Sequence, residues 1–174
     1  MEKLKTSKKI LNKIYYNLFI ERSTVGPGIS DAWGASAYDM ESDKFILIEP
    51  NDDNTASTWA YDYDTDTWEQ MSDVEGVSNE YWGSATYDME SDLVILTNVH
   101  GAGNIHLRFK VYDYNTDTWD DINGFSYSDY DYIGTYWGST AYDIQSDRVY
   151  VFSGHGSNGT IISSFVHEEP SFET

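Results

Sequence analysis

The stretch "WGSATYDMESDLVIL", Trp82 to Leu96, has two near-copies in the same chain. "WGASAYDMESDKFIL" begins at Trp33 and "WGSTAYDIQSDRVYV" at Trp137, so the Trp-Gly pairs lie 49 and then 55 residues apart. A second clause travels with the first, as "TWAYDYDTDTW" at 58–68 and "KVYDYNTDTW" at 110–119. In the third copy the matching stretch is "SSFVHEEPSF" at 163–172, which aligns without a gap. There Phe165 replaces Tyr61 and Tyr112, and Phe172 replaces Trp68 and Trp119. Self-similarity at a nearly fixed period is the signature of a repeat architecture.

Each unit reads as four short strands. The first, "SATYD" and its equivalents, is built of small residues with one Tyr. The second, "KFILI", "LVILT" or "RVYVF", is apolar at consecutive positions, the pattern of a strand buried on both faces. The third, "TWAYDY" or "FKVYDY", is rich in aromatic and β-branched residues, and the fourth begins at the Trp of "DTW". Polar turns, "DMESD" and "DYNTDT", separate strand one from two and three from four. No intervening run has the length and period of a crossover helix. The fold class expected is therefore all-β, in antiparallel meanders. A small sheet with two apolar faces needs a similar sheet on each side, and radial stacking of such sheets makes a β-propeller. The expected organisation is a segment 1–25 followed by three blades at about 30–75, 76–128 and 129–174.

Over about residues 30–174 the pattern resembles kelch repeats: an apolar second strand ending in Gly-Gly, then a Tyr, then a Trp a few residues later. The tyrosines are Tyr61 and Tyr112 and the tryptophans Trp68 and Trp119. The Gly pair is replaced by Glu49-Pro50, Asn98-Val99 and Ser153-Gly154, of which only Gly154 agrees. The resemblance implies a propeller of four-stranded blades. Some kelch propellers are enzymes, such as the copper-dependent galactose oxidases, whose cross-linked Tyr–Cys pair this Cys-free chain cannot make.

Composition limits the function classes. The net charge is −20, unevenly spread. Residues 1–25 hold six Lys/Arg (Lys3, Lys5, Lys8, Lys9, Lys13, Arg22) against two acids, and the remainder holds four against 28. A body this acidic repels phosphate backbones, so nucleic acid is not an expected partner. With no Cys there are no disulfides, thiolate metal sites or cysteine nucleophiles. No apolar run has the length of a membrane span. The stretch "ILNKIYYNLFI" carries Lys13 and two Asn where a signal peptide needs an apolar centre, which favours a cytoplasmic location. Two readings of the basic segment stay open. Leu4, Leu11, Ile14, Tyr15 and Leu18 fall on one side of a helix, while Ile14, Tyr16, Leu18 and Ile20 fall on one face of a strand. As a strand it would complete a blade, since Phe19 precedes Trp33 by the 14 residues that separate Trp68 from Trp82.

Closed propellers have about four to eight blades, so three leave an open arc with an apolar face at each end. Three resolutions are open: a longer propeller, a homodimer that completes a six-bladed ring, or a cap from the N-terminal segment or another protein.

The turns one-to-two and three-to-four are nearly constant in length, whereas 49–57, 97–107, 153–162, 69–81 and 120–136 vary. In a meander, alternate connections leave from one edge, so all the variable loops should share a face, where binding specificity is usually placed. Trp33, Trp82 and Trp137 each precede an innermost strand, either ringing the channel mouth, where indoles stack on sugars or peptides, or wedging between blades. His100 and His155 both lie 18 residues after their Trp, with Asn51 in the first copy. A shared metal is not expected, because propeller symmetry spreads equivalent residues around a ring. Tyr130, Tyr132 and Tyr136 belong to "FSYSDYDYIGTYW", whose Tyr, Ser, Asp and Gly content resembles adaptable binding loops. "DYDTDTW" alternates Asp62, Asp64 and Asp66 but has Thr67 and Asp73 where a calcium loop needs Gly and Glu, so it reads as a turn.

There is no catalytic Ser–His–Asp signature, phosphate-cradling Gly loop or HExxH pair. The expectation is a non-catalytic propeller module, without cofactor, that binds a protein through its variable loops. A glycan-binding propeller using the Trp ring, and a truncated fragment without activity of its own, are the alternatives.

Overall fold

The pattern Tyr-Asp-x-x-Ser/Thr-Asp occurs five times, at 38–43, 61–66, 87–92, 112–117 and 142–147. Each copy closes a hairpin by the same three devices. The first Asp accepts backbone amides in the turn, as when Asp39 Oδ1 takes Glu41 N at 3.1 Å and Ser42 N at 3.0 Å. The last Asp turns the chain in the left-handed region, at φ 55° for Asp43, Asp66 and Asp92, 53° for Asp117 and 50° for Asp147. Asp tolerates that region better than most residues with a Cβ. The Tyr hydroxyl then donates to the carboxylate of the last Asp. Tyr61 reaches Asp66 at 2.6 Å, Tyr87 Asp92 at 2.6 Å, Tyr112 Asp117 at 2.9 Å and Tyr142 Asp147 at 2.9 Å, and Tyr38 bonds Asp43 likewise.

These turns organise a computed structural model that describes residues 26–27, 34–51, 55–77, 83–98, 108–122, 139–153 and 161–165. The readings of segment 1–25 and of a fourth strand in the third unit lie outside them. The first sheet is an antiparallel meander of β1 (Ala35–Asp39), β2 (Lys44–Pro50), β3 (Thr55–Asp62) and β4 (Thr67–Gln70), with short β5 (Val74–Glu75) also pairing β3. The second is β6 (Ser84–Asp88), β7 (Leu93–Asn98), β8 (Arg108–Asp113) and β9 (Thr118–Asp121). The third is β10 (Ser139–Asp143), β11 (Arg148–Ser153) and β12 (Ile161–Phe165). The described residues are thus all-β, antiparallel and without helix. Eleven of the twelve expected strands are present, the fourth of the third unit falls outside the described residues, and β5 was not anticipated.

The first strands of the three sheets are neighbours, with β6 beside both β1 and β10. Small side chains permit this approach, and Ser84 Oγ meets Thr140 Oγ1 at 2.8 Å and accepts from Thr140 N at 3.0 Å. The Gly of the first two Trp-Gly pairs has a steric cause. A Cβ on Gly34 would stand 3.1 Å from the Ile48 carbonyl oxygen, and one on Gly83 3.3 Å from that of Thr97, at equivalent places on the second strand.

The sheets pack face to face, and strand alternation divides each into two faces. Call face A the one carrying Tyr87, Val94, Leu96, Tyr112 and Trp119 in the second sheet. Face B carries Ile95, Phe109 and Val111. Face A of the second sheet packs on Ile46, Ile48, Ala56 and Ala60 of the first, joined by Val74 and Val77. Face B of the second packs on Tyr142, Val149 and Val151 of the third. Trp119 ties the first pair together, because its Nε1 donates to Thr58 Oγ1 at 3.0 Å and to the Ser72 carbonyl at 3.1 Å. Asp117 adds two bonds, accepting from Ser72 N and Ser72 Oγ, both at 2.9 Å.

Second strands buried on both faces are found only in the middle sheet, where Val94, Ile95, Leu96 and Thr97 are all buried. In the first sheet Ile46 and Ile48 are buried, but Phe45 is 36% exposed. In the third, Val149 and Val151 are buried and Phe152 is 38% exposed. The physical reason is position: the end sheets have a neighbouring sheet on one side only among the described residues.

Candidate functional site

Register fixes which connections share an edge. In the first sheet Asp39 pairs Lys44, Lys44 pairs Asp62, and Asp62 pairs Thr67, so one row closes both hairpin turns. Pro50 pairs Ala56 and Ala56 pairs Val74 at the opposite end. The second sheet repeats this, with Asp88–Leu93 and Asp113–Thr118 at the turn edge. In the third sheet Asp143 pairs Arg148 at the turn edge and Ser153 pairs Ile161 at the other. The Tyr–Asp hairpins therefore occupy one edge of each sheet. The connections that vary in length leave from the opposite edge, as sequence reasoning anticipated.

The turn edge is acidic, and the first and last aspartates of its hairpins are held by partners within the turns. Asp62 Oδ1 accepts from Asp64 N at 2.8 Å and Thr65 N at 3.0 Å, while Oδ2 pairs with Lys44 Nζ at 3.1 Å. The Thr65 amide, followed by the Lys44 ammonium, holds the Asp62 carboxyl below the usual aspartate range. For Asp117 burial pushes upward, but the Ser72 amide and hydroxyl and the Tyr112 hydroxyl outweigh it, and the result is a lowered value. The Ser146 hydroxyl and the Gln145 amide lower Asp143. Burial, then the bond to an aspartate, pushes the phenols of Tyr87, Tyr112 and Tyr142 above the ordinary tyrosine range. Phenols bonded in this way to aspartate side chains are structural clasps. The alternating Asp62, Asp64 and Asp66 thus belong to a turn: Asp62 is occupied by amides and a lysine, and Asp66 by Tyr61.

The sequence-derived candidates stand, in sequence, next to strand ends at the variable edge. Trp33 and Trp82 each sit one residue before the Gly that leads into β1 or β6, and Trp137 stands two residues before β10. His100 follows β7 and His155 follows β11, while Tyr130, Tyr132 and Tyr136 lie between β9 and β10. All eight lie outside the described residues. The described member of the histidine set is its first-copy equivalent, Asn51. It braces its own loop: its backbone N donates to the Thr55 carbonyl at 2.9 Å, and its Nδ2 to Thr55 Oγ1 at 2.9 Å and Ser57 Oγ at 3.2 Å. In that copy the position works as a loop support.

Sequence reasoning read "DMESD" and "DYNTDT" as polar turns. It missed that both are one Tyr–Asp clasp, although the signal, Tyr-Asp followed four residues later by Asp, stands five times in the chain. A scan against protein-family models and a search of curated proteins return no match for this chain.

Proposed function

We propose that the three sheets are successive blades of a kelch-like β-propeller, and that the chain is a non-catalytic module whose variable edge binds a protein partner. The observation that carries this reading is the segregation of connections: clasped hairpins of constant length on one edge, loops of differing length on the other. A rigid framework that leaves one edge free to vary is the usual arrangement of a recognition surface. The adjacency of β1, β6 and β10, with small residues where they meet, supports a common axis. The acidity of the chain suits a basic partner surface, which makes association fast at low salt and weaker as salt rises.

A second reading, glycan binding, is favoured by the Trp placed before each first strand. Two measurements separate the readings. In affinity capture from the source cell extract, a loop variant (Tyr130, Tyr132 and Tyr136 changed to Ser) should lose the captured protein. A turn-edge variant, Glu41→Lys with Glu90→Lys, should keep it. Capture indifferent to the loop edge would sink the protein-binding reading. Quenching of tryptophan fluorescence by sugars, abolished in Trp82→Ala, would replace it with the glycan reading.

A further inference from the structure

The two contacts between sheets are the same contact made twice: face A of one sheet lies on face B of the sheet before it. Equivalent positions confirm the match, since Tyr87, Val94 and Leu96 against the first sheet correspond to Tyr142, Val149 and Val151 against the second. Such a stack ends in unlike faces. Among the described residues no other sheet covers face A of the first sheet, where Phe45, Leu47 and Trp59 stand at the positions of Val94, Leu96 and Lys110, and where Gly26 of the same chain lies against Trp68 at the outer strand. The third presents face B outward, with Tyr150 and Phe152 at the positions of Ile95 and Thr97. Phe45 and Phe152 are 36% and 38% exposed, and Leu47, Trp59 and Tyr150 are half-buried.

We propose that the occupant of these two faces is a second copy of the chain, joined head to tail at both ends. The outward face A of one copy continues the established stack onto the outward face B of the other. A head-to-tail contact closes into a ring or runs on as a filament. Two copies give six sheets, within the range of about four to eight in which propellers close, whereas one copy gives too few and three too many. This inference rests on the propeller reading above and is independent of what the variable edge binds.

The test is the mass of the full chain in solution by analytical ultracentrifugation, over a hundredfold dilution. The wild-type chain should sediment as a species about twice 19.9 kDa. Phe45→Asp and Phe152→Asp place a charge on exposed positions of face A and face B, and circular dichroism checks that each stays folded. Each variant alone should be monomeric, because every junction needs one face A and one face B. Mixed in equal amounts, they should recover a dimer held by the one junction that remains intact, with at least tenfold weaker association than wild type. A wild-type chain monomeric throughout would overturn the pairing and leave the loop-edge reading standing. So would a Phe152→Asp chain that dimerises as wild type does, since that means face A meets face A.

Discussion

Tyr38, Tyr87 and Tyr112 make the same bond in three environments, with Tyr38 50% exposed, Tyr87 8% and Tyr112 fully buried. A buried hydroxyl that donates to a carboxylate is worth more than an exposed one, because water competes for the exposed pair. Tyr112→Phe is therefore expected to lower unfolding free energy by about 1–2 kcal/mol in urea denaturation. Tyr38→Phe should leave the midpoint nearly unchanged. Equal losses would show that the clasp acts through the turn alone and not through burial. The titrations give a two-sided pH dependence. Asp62, Asp117 and Asp143 bind protons less tightly when folded. Their contribution is present above the ordinary aspartate value of 3.8 and is lost as pH falls through the lower folded values. Tyr87, Tyr112 and Tyr142 are raised, so their contribution is complete below the ordinary tyrosine value of 10.0 and is lost as pH rises through the folded values. Thermal melts across pH should show both limbs. Asp117→Asn should flatten the acid limb, and Tyr112→Phe the alkaline one.

At the scale of the element, the sheets are held by apolar faces and stitched by a few directed bonds. Trp119 is the main stitch between the first two. Trp119→Phe keeps an aromatic ring but removes the donor shared by Thr58 and Ser72, and an expected loss of about 1–2 kcal/mol follows. Thr58→Val should cost less, because the Ser72 carbonyl still accepts. The double variant should fall short of the sum of the two losses, since both act on one bond. Strict additivity would mean that the Trp119 to Thr58 bond adds nothing. Strand existence and order were legible in the sequence because period-two and continuous apolar runs alternate with Gly- and Asp-rich turns. The acidic turns were legible as turns. Two features were not. β5 has only the dipeptide Val74-Glu75 and no period to read. The shared Tyr–Asp clasp spans a strand end and a turn, so a search for strands and turns as separate words divides it.

For the whole molecule, reading the second strands alone overstated their burial. "LVIL" is covered on both faces, whereas "FILI" and "VYVF" are covered on one, although all three look alike. Burial depends on which neighbour a sheet has, and a repeat sequence carries no mark of being first or last in the row. Of the candidate site only the neighbouring strand ends are described: Trp33, Trp82, Trp137, His100, His155 and the Tyr130–Tyr136 stretch lie outside the described residues, next to or between strands whose ends stand at the edge opposite the clasps. The connections that carry them differ in length and sequence from copy to copy, so the repeat offers no pattern from which to read them.

Curvature of the row separates a propeller arc from a straight stack, and distances between equivalent points measure it. Met40, Met89 and Ile144 follow the first Asp of equivalent hairpins and are 56%, 39% and 63% exposed. The chain has no Cys, so cysteine pairs introduced at these sites can carry spin labels without interference. Double electron–electron resonance, on chains in which one labelled copy is diluted with unlabelled protein, gives the three distances. Sheets splayed around a common axis predict a 40-to-144 distance clearly shorter than the sum of 40-to-89 and 89-to-144. A distance equal to that sum would mean that the sheets run in a straight line, and would contradict the propeller account.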